Sequence, residues 1–304
     1  MNFREIDFVK NRKKFFSLSI AITVLGLIAL LIFNLNYGVD FTSGTTLDVL
    51  IDENSTTKEK AEQIYQETGI EPSTITVGGD NNNRVNARFE KVLSEDERIG
   101  IISAFQNEFG AEQVSYEENT VDAEIAKELG LKAIYAVAIA SIGIIIYVSI
   151  RFEWRFALTA VVALLHDAFI VISLFSIFQL EVNLPFVAAV LTIIGYSIND
   201  TIVIFDRIRE NLQKFKIKNF DDLANMVNTS IKQTLTRSIN TALTVVFAAF
   251  CLFIFGSESI KLFSLAMLIG LISGAYSSIF IASQLWLILK SKSLNKKKTD
   301  VINS

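Results

Sequence analysis

One carboxyl group within a long apolar stretch of this sequence is the strongest candidate for chemistry. Asp200 falls in the run 184–205, which is long enough to cross a membrane as a helix. A charged side chain at the centre of a bilayer costs at least about 2.5–3.5 kcal/mol, so it normally faces a partner, a water-filled cavity or an ion pathway. Because proton-moving membrane proteins keep carboxyl groups in such places, the sequence favours proton binding and release at Asp200.

Polar residues accompany Asp200 on the same predicted helix. Ser197 is three positions earlier and shares its face, and Asn199 directly precedes it. A polar stripe on an apolar helix is expected to face the interior of a helix bundle. The alternative interpretation is that Asp200 only forms hydrogen bonds or an ion pair with neighbouring helices.

Three further ionisable residues lie in or beside apolar runs. Asp167 is either functional, as a second site on a proton path or a partner for Asp200, or a polar residue that joins helices; both interpretations remain open. His166 is adjacent, so it is expected to point about 100° away from Asp167 and to make an ordinary polar contact. Arg237 begins an apolar run, where it either pairs with Asp200 or anchors the helix end at lipid headgroups.

Six apolar helices are expected to position these residues. The chain has 304 residues, of which 51% are hydrophobic, and its mean hydropathy is +0.42. Six runs are long enough to span a hydrocarbon layer of about 30 Å: 15–33, 133–150, 156–178, 184–205, 238–255 and 262–289. The first run is too long for the apolar core of a signal peptide and lacks an obvious cleavage site, so it is interpreted as an uncleaved anchor.

The distribution of charge predicts the orientation. Residues 34–130 contain 7 Lys or Arg and 20 Asp or Glu, a net charge of −13, whereas the rest of the chain carries +9. The basic residues outside 34–130 cluster in four regions that six spans place on one side of the membrane. The positive-inside rule therefore predicts that both termini are cytoplasmic and that 34–130 is outside.

The segment 34–130 has the pattern of a small α+β domain. Alternating residues predict strands at 45–51, 73–77, 84–89 and 113–117, and amphipathic segments predict helices at 57–68 and 94–108. This is the βαββαβ order of a ferredoxin-like domain. Such a domain more often binds or moves than catalyses.

The predicted fold class is therefore a polytopic α-helical membrane protein, with six transmembrane helices and a ferredoxin-like domain between helices 1 and 2. The predicted parts begin with a cytoplasmic N-terminus (1–14), a first span (15–33) and an extracytoplasmic domain (34–130), whose last part, 118–130, forms a stalk. A bundle of five spans (131–290) and a basic cytoplasmic tail (291–304) follow. Within the bundle, a cytoplasmic loop (206–237) contains an amphipathic helix at 220–231.

At this point several sequence blocks resemble a known family. The most specific block is 194–203 together with 206–211, and the blocks 165–167 and 233–238 agree with it. The sequence after the first span is similar to the family's Gly-x-Asp-Phe-x-Gly-Gly-Thr motif through Gly38, Asp40, Phe41, Gly44 and Thr45. The chain resembles the SecF subunits of the SecD–SecF protein-export complex, within the resistance-nodulation-division superfamily of proton-driven transporters.

Ser43 departs from this family pattern, because it stands where the family usually has glycine. Serine is small, so a changed turn without loss of function is expected.

The resemblance implies a function and a mechanism. It implies a subunit of the bacterial inner membrane that, with SecD and the SecYEG translocon, uses the proton-motive force to promote export of unfolded polypeptides. Asp200 would bind and release the proton, and the exported domain would move in response. The implied partners are SecD, SecYEG, the translocating polypeptide and the lipid bilayer, with no nucleic acid, no metal and no cofactor. The coupling ion is H⁺, with Na⁺ as the alternative.

Three other functions fit the sequence less well. An intramembrane aspartyl protease would use Asp167 and Asp200 as a pair, but the Tyr-Asp and Gly-x-Gly-Asp sequences of such enzymes are absent, so no enzymatic role is predicted. A passive subunit that only stabilises the translocon remains open. A small-molecule exporter of the same superfamily would need a larger exported domain.

Overall fold

The computed structural model describes residues 7–52 and 56–302. Residues 1–6 of the predicted N-terminus and 303–304 of the predicted tail lie outside the described residues. Within the described part of the chain, six helices are long and apolar enough to cross a membrane. They are α1 (Arg12–Phe33), α5 (Ala123–Arg151), α6 (Trp154–Ile177), α7 (Leu184–Lys214), α8 (Phe220–Phe255), and a sixth that joins α9 (Glu258–Ser277), a π-helical turn (Ser278–Ala282) and α10 (Ser283–Ile302).

Burial separates central helices from outer ones. In α6, α7 and the sixth helix, 50%, 50% and 61% of the apolar segment is buried, as against 17%, 6% and 11% in α1, α5 and α8. The central helices therefore form the core of the bundle, where Phe156 stacks on Trp286 with ring centroids 4.7 Å apart and contacts Phe205 at 4.8 Å. All three side chains are nearly or fully buried.

A glycine allows α7 and α9 to approach closely. A Cβ atom on Gly270 of α9 would lie 2.3 Å from Cδ1 of Ile193 on α7, which is closer than real atoms come. Small residues at helix contacts of this kind let backbones pack tightly in membranes. The α7–α9 contact also carries most of the buried polar groups described below.

The segment after α1 forms a small α+β domain. Its elements are α2 (Val39–Thr42), β2 (Gly44–Ile51), α3 (Lys58–Thr68), β3 (Thr74–Gly78), β4 (Arg84–Phe89), α4 (Glu95–Phe109) and β5 (Val114–Val121). The four strands form an antiparallel sheet in the order β3-β4-β2-β5. This is the topology of the βαββαβ motif, and the predicted fold class is confirmed.

The sequence patterns explain why these elements form. Leu47, Val49 and Ile51 alternate along β2 and are fully buried against Tyr65 of α3 and Phe105 of α4. A capping box, in which Ser94 and Glu97 bond to each other's backbone N–H groups, begins α4. Gly69 ends α3 in a left-handed conformation that glycine adopts without strain.

Two very short strands were not predicted from the sequence. β1 (Asn36–Tyr37) follows α1, and β6 (Glu181–Val182) lies between α6 and α7. They pair in parallel, with Asn36 opposite Glu181 and Tyr37 opposite Val182. The base of the α+β domain is therefore joined by backbone hydrogen bonds to the end of the bundle where α6 meets α7.

Several predicted boundaries need correction. The last strand continues to Val121, and α5 starts at Ala123 and runs through the span without a separate stalk. The loop predicted at 206–237 is mostly helical, because α7 extends to Lys214 and α8 begins at Phe220. The amphipathic helix predicted at 220–231 is the first third of α8. No Gly or Pro interrupts 220–255, so the helix continues into the span.

Candidate functional site

Asp200 lies on α7 beside a small cavity inside the bundle. It is 8% exposed, and no hydrogen bond or ion pair to it is found among the described residues. The cavity measures about 10 Å³, which is room for about one water molecule. Besides Asp200, it is lined by Tyr196, Ser197, Asn199, Thr241, Ala242, Leu271, Gly274 and Ala275. A carboxyl group without a fixed partner, beside such a space, can gain or lose a proton without breaking a protein contact.

Arg237 is the basic residue whose charge acts on Asp200. It lies on α8, is exposed, and interacts electrostatically with the Asp200 carboxyl group. Within the described chain, however, the two side chains do not form an ion pair. The predicted pairing is therefore present only as a longer-range attraction.

Asp167 is held very differently, because three serine hydroxyls donate to it. Ser197 of α7 and Ser277 of α9 each donate to Oδ2 at 2.6 Å, and Ser273 of α9 donates to Oδ1 at 2.7 Å. Asp167 is 1% exposed. It therefore ties α6, α7 and α9 together at one point.

This arrangement favours one of the two interpretations of Asp167 left open by the sequence, the contact between helices. Its two oxygens are occupied by serines, and it neither bonds to Asp200 nor lines the cavity beside it. Ser197 was expected to support Asp200, but its hydroxyl donates to Asp167 instead. The geometry is that of a polar contact between helices, and the two carboxyl groups do not form the pair that an aspartyl protease needs.

His166 contacts Asp167 rather than pointing away from it. Its Nδ1 lies 3.2 Å from Asp167 Oδ1, and its ring stacks near that of Tyr276, with centroids 6.3 Å apart. The expectation of about 100° between neighbours applies to the Cα–Cβ bonds, and the imidazole ring is long enough to reach back. The Nε2 atom is buried without a hydrogen-bond partner among the described residues.

The motif after α1 links the α+β domain to α7. Asp40 of α2 is 8% exposed, and its Oδ2 accepts a hydrogen bond from the backbone N–H of Leu184 at 2.9 Å. That N–H group belongs to the first residue of α7, so Asp40 caps the helix that carries Asp200. Asn119 of β5 donates to the other oxygen at 3.4 Å, and the N–H of Gly38 bonds to Val182 at 2.8 Å.

Two charged residues outside the predicted motif complete this junction. Arg88 of β4 donates to Asn36 at 3.3 Å and to Thr42 at 3.0 Å. The Glu181 carboxyl group lies so close to Gly38 that a Cβ there would be 2.3 Å from its Oε1. Burial raises the pKa of Glu181; the Arg88 guanidinium opposes this effect and the Asp40 carboxyl group reinforces it.

The remaining motif residues shape the start of the domain. Gly44 has a φ of +127°, and a Cβ there would meet the Phe89 carbonyl oxygen at 2.1 Å. Ser43 has a φ of 69° and a ψ of 163°, a region that is otherwise almost exclusive to glycine. Ser43 is therefore held in a strained conformation, and the expectation of a changed turn without loss of function stays a prediction. Thr45 is fully buried and accepts the Leu93 N–H at 3.1 Å.

The aromatic member of the motif lies in the same junction. Phe41 packs edge-on against Tyr37, with ring centroids 6.3 Å apart. It also reaches Gly130 of α5, where a Cβ atom would lie 3.8 Å from the Phe41 ring.

Sequence reasoning missed the ligands of Asp167 and the junction charges. Ser273 and Ser277 are four residues apart and so share one face of α9, a spacing that marks a polar face but does not identify its partner. Nothing in the local sequence around Glu181 or Arg88 indicates a contact. Among the residues that the structure describes, no cluster of three or more His, Cys, Asp or Glu side chains could hold a metal ion.

Comparison with known proteins was made by family and by structure. The family model "Protein export membrane protein SecD/SecF, C-terminal" matches residues 101–292, and "SecD/SecF GG Motif" matches 28–54. The protein translocase subunit SecF of Alicyclobacillus acidocaldarius is 44% identical over 95% of this chain and 94% of its own length. The protein translocase subunit SecDF of Bacillus subtilis is 49% identical over 97% of this chain, which spans only 39% of that relative.

Solved structures give the same relationship. The crystal structure of SecDF, a translocon-associated membrane protein from Thermus thermophilus, matches 94% of this chain with a TM-score of 0.82 and 32% identity, and the match spans 38% of that chain. SecDF in its super-membrane-facing form matches 97% of this chain with a TM-score of 0.64 and 28% identity, over 40% of that chain.

Proposed function

Because the chain belongs to the SecD/SecF family of protein export membrane proteins, we propose that it is an accessory subunit that promotes translocation of polypeptides across the membrane. Its relatives carry the names of translocase subunits, and six apolar helices make it a multi-pass membrane protein. The proposed role involves no catalysis of covalent chemistry. The proposed membrane is the bacterial cytoplasmic membrane, with both termini in the cytoplasm.

We further propose that Asp200 couples this activity to the proton-motive force. The observation that carries the proposal is the contrast between two buried carboxyl groups on neighbouring helices. Asp167 accepts three serine hydrogen bonds, whereas Asp200 has no such bond among the described residues and lines a cavity for about one water. Of these two carboxyl groups, Asp200 is therefore the one that can change its protonation without breaking contacts between helices.

The route from Asp200 to the exported domain is α7 itself. Asp200 and Leu184 are part of one uninterrupted helix, and the N–H of Leu184 bonds to Asp40 in the exported domain's first turn. The β1–β6 pairing holds the same place through the backbone. A movement of α7 that accompanies protonation of Asp200 would therefore displace the base of the domain.

The available energy suits this mechanism. One elementary charge that crosses a potential of 100 mV releases about 2.3 kcal/mol. Since each 1.4 kcal/mol changes an equilibrium constant tenfold, that energy shifts a two-state bundle by more than tenfold.

The proposed partners are SecD, the SecYEG translocon and the translocating polypeptide. The outer helix α8 supports a helical partner in the membrane, because it exposes Leu243, Phe247 and Phe250 next to the Asp200 cavity, which Thr241 and Ala242 of the same helix line. We propose that SecD covers this surface, with lipid around the remainder of the bundle.

The test is export of a secretory precursor into membrane vesicles that hold the translocase, SecD and this chain, with and without a proton gradient. Asp200→Asn is expected to assemble normally and to lose the stimulation that the gradient gives the wild type. Asp206→Asn is the matched control, since it makes the same change on the same helix at a residue that pairs with Arg151 and Arg209. It should retain full stimulation.

Two other outcomes would change the assignment. If Asp200→Asn vesicles export as fast as wild type under a gradient, the chain is a passive subunit that stabilises the translocon. If stimulation follows a sodium gradient and survives collapse of the proton gradient, the coupling ion is Na⁺.

A further inference from the structure

The exported domain has two sheet edges, and only one of them is protected. β5, at one edge, carries Glu117, Glu118 and Asn119. β3, at the other edge of the described sheet, contains no charged residue and no proline over 74–78. Because proteins normally place charges or proline on exposed edges to prevent pairing with other chains, an unprotected edge indicates a strand that is available for pairing.

The free side of β3 can be assigned from its hydrogen bonds. Odd-numbered residues of β4 face β2, as the bond from the Ile51 N–H to the Asn83 carbonyl shows, so Asn86 and Arg88 face β3 and pair there with Thr76 and Thr74. Since successive backbone N–H groups of a strand point in opposite directions, those of Ile75 and Val77 face away from β4. Two backbone donors therefore lie on the free edge of the described sheet.

A groove lies between this edge and helix α3. Its volume is about 320 Å³, and it is lined by Lys58, Glu62, Tyr65 and Gln66 of α3 and by residues 71–75. A groove between an edge strand and a helix is the place where domains that bind peptides by strand addition hold an extended chain. The backbone of the edge supplies hydrogen bonds, and the helix covers alternate side chains.

Tyr65 supplies an independent indication of a ligand. It is 1% exposed and lines the groove, yet its buried hydroxyl has no hydrogen-bond partner among the described residues. Buried polar groups are nearly always paired. Burial raises the pKa of Tyr65, and the nearby Asp48 adds to this effect, so the hydroxyl stays protonated and can donate. A peptide carbonyl in the groove is a suitable acceptor.

We propose that an extended segment of the translocating polypeptide binds in this groove and pairs with β3 as a fifth strand of the sheet. This inference rests on the proposed export function and names the surface of the domain that holds the cargo. Backbone pairing recognises any extended sequence, which suits a protein that handles many cargoes. The net charge of −13 over 34–130 favours segments that carry Lys or Arg.

The test measures binding of a fluorescent ten-residue peptide of alternating valine and lysine to the full chain in lipid nanodiscs, without a proton gradient. Val77→Pro removes one outward N–H group and should weaken binding at least about tenfold, because proline cannot donate to a ladder. Val77→Ala retains the N–H group while it also loses the valine methyl groups, and it should bind like the wild type. Tyr65→Phe should bind about two- to tenfold more weakly, as expected for one hydrogen bond.

Hydrogen exchange of the wild type gives a measurement that does not depend on any variant. The peptide should slow exchange at the Ile75 and Val77 amides and leave β5 unchanged. Absence of protection, or equal binding by the proline and alanine variants, would overturn the proposal. Concentration-dependent dimers that Val77→Pro abolishes would also overturn it, because β3 would then pair with a second copy of the chain.

The experiments distinguish an error in the groove proposal from an error in the proton-coupling proposal. Asp200→Asn should bind the peptide as the wild type does, because Asp200 is far from the exported domain along α7. If export by Asp200→Asn is normal while Val77→Pro weakens peptide binding, only the proton coupling is wrong. If Asp200→Asn loses export while Val77→Pro leaves peptide binding unchanged, only the groove is wrong.

Discussion

Removing the Asp167 carboxyl group should destabilise the bundle, although the residue does not line the Asp200 cavity. In Asp167→Ala, the hydroxyls of Ser197, Ser273 and Ser277 each lose an acceptor at 2.6–2.7 Å. Hydrogen bonds between helices in membranes contribute about 0.6 kcal/mol on average and up to about 1.7 kcal/mol. Three of them give an expected loss of about 2–5 kcal/mol in the free energy of unfolding.

We expect the loss in free energy of unfolding to fall in the lower half of that range. Ser277 also lies 3.2 Å from the Gly274 carbonyl oxygen of its own helix, to which its hydroxyl can turn once Asp167 is gone. Asp167→Asn retains one acceptor oxygen and should lose about half as much as the alanine variant. Ser264→Ala is the matched control, because Ser264 is a fully buried serine of α9 that bonds only to Ile260 of its own helix at 2.9 Å.

The assay is unfolding by denaturing detergent in mixed micelles, followed by tryptophan fluorescence. Trp286 is fully buried and stacked on Phe156, so it reports loss of the bundle core. Trp154 is exposed, and replacing it with phenylalanine in all variants leaves Trp286 as the single reporter. If Asp167→Ala and Ser264→Ala unfold with free energies within about 0.5 kcal/mol of each other, the assignment of Asp167 as a tie between helices is wrong.

Three further changes test the packing and the junction. Gly270→Ala should lower the free energy of unfolding by about 1–3 kcal/mol, because the added methyl group clashes with Ile193. Adding Ile193→Ala to this variant should restore part of the lost stability. Gly143→Ala is the control and should leave the free energy of unfolding unchanged, because no neighbour lies within 4 Å of that position. Ser43→Gly should raise the free energy of unfolding by about 1 kcal/mol, because glycine relieves a strained φ and ψ; an unchanged or lower stability would argue against strain. Glu181→Gln should gain stability over the wild type as the pH rises above 4.5, because the raised pKa of Glu181 makes its ionisation costly in the folded state; a difference that does not vary between about pH 4 and pH 8 would contradict this.

The sequence predicts those features that depend on neighbours along the chain. Apolar runs locate all six spans because a helix in hydrocarbon must be apolar over its whole length. Alternation along 45–51 and the Ser94–Glu97 capping pair locate a strand and a helix of the exported domain for similarly local reasons. Asp200 is detectable because a single charge in an apolar helix is costly wherever the helix packs.

The features that sequence reasoning missed depend on distant partners. Asp40 caps α7 at Leu184, a residue 144 positions later in the chain. Ser273 and Asp167 are 106 positions apart, so neither sequence neighbourhood signals their bond. β1 and β6 have two residues each, too few for a periodic pattern, and they form only because α1, α6 and α7 bring them together. The interpretation of Asp167 could not be settled without this packing.

Because α7 is long, a small tilt of the helix displaces its end by several times the length over which a hydrogen bond can stretch. Its 31 residues extend about 46 Å, roughly 16 Å more than the hydrocarbon of a bilayer. Asp200 lies about 24 Å along the axis from Leu184, so a tilt of about 10° about the level of Asp200 displaces the outer end by about 4 Å. The Asp40–Leu184 hydrogen bond cannot stretch that far. The α+β domain must therefore move together with α7, or the Asp40–Leu184 hydrogen bond must break.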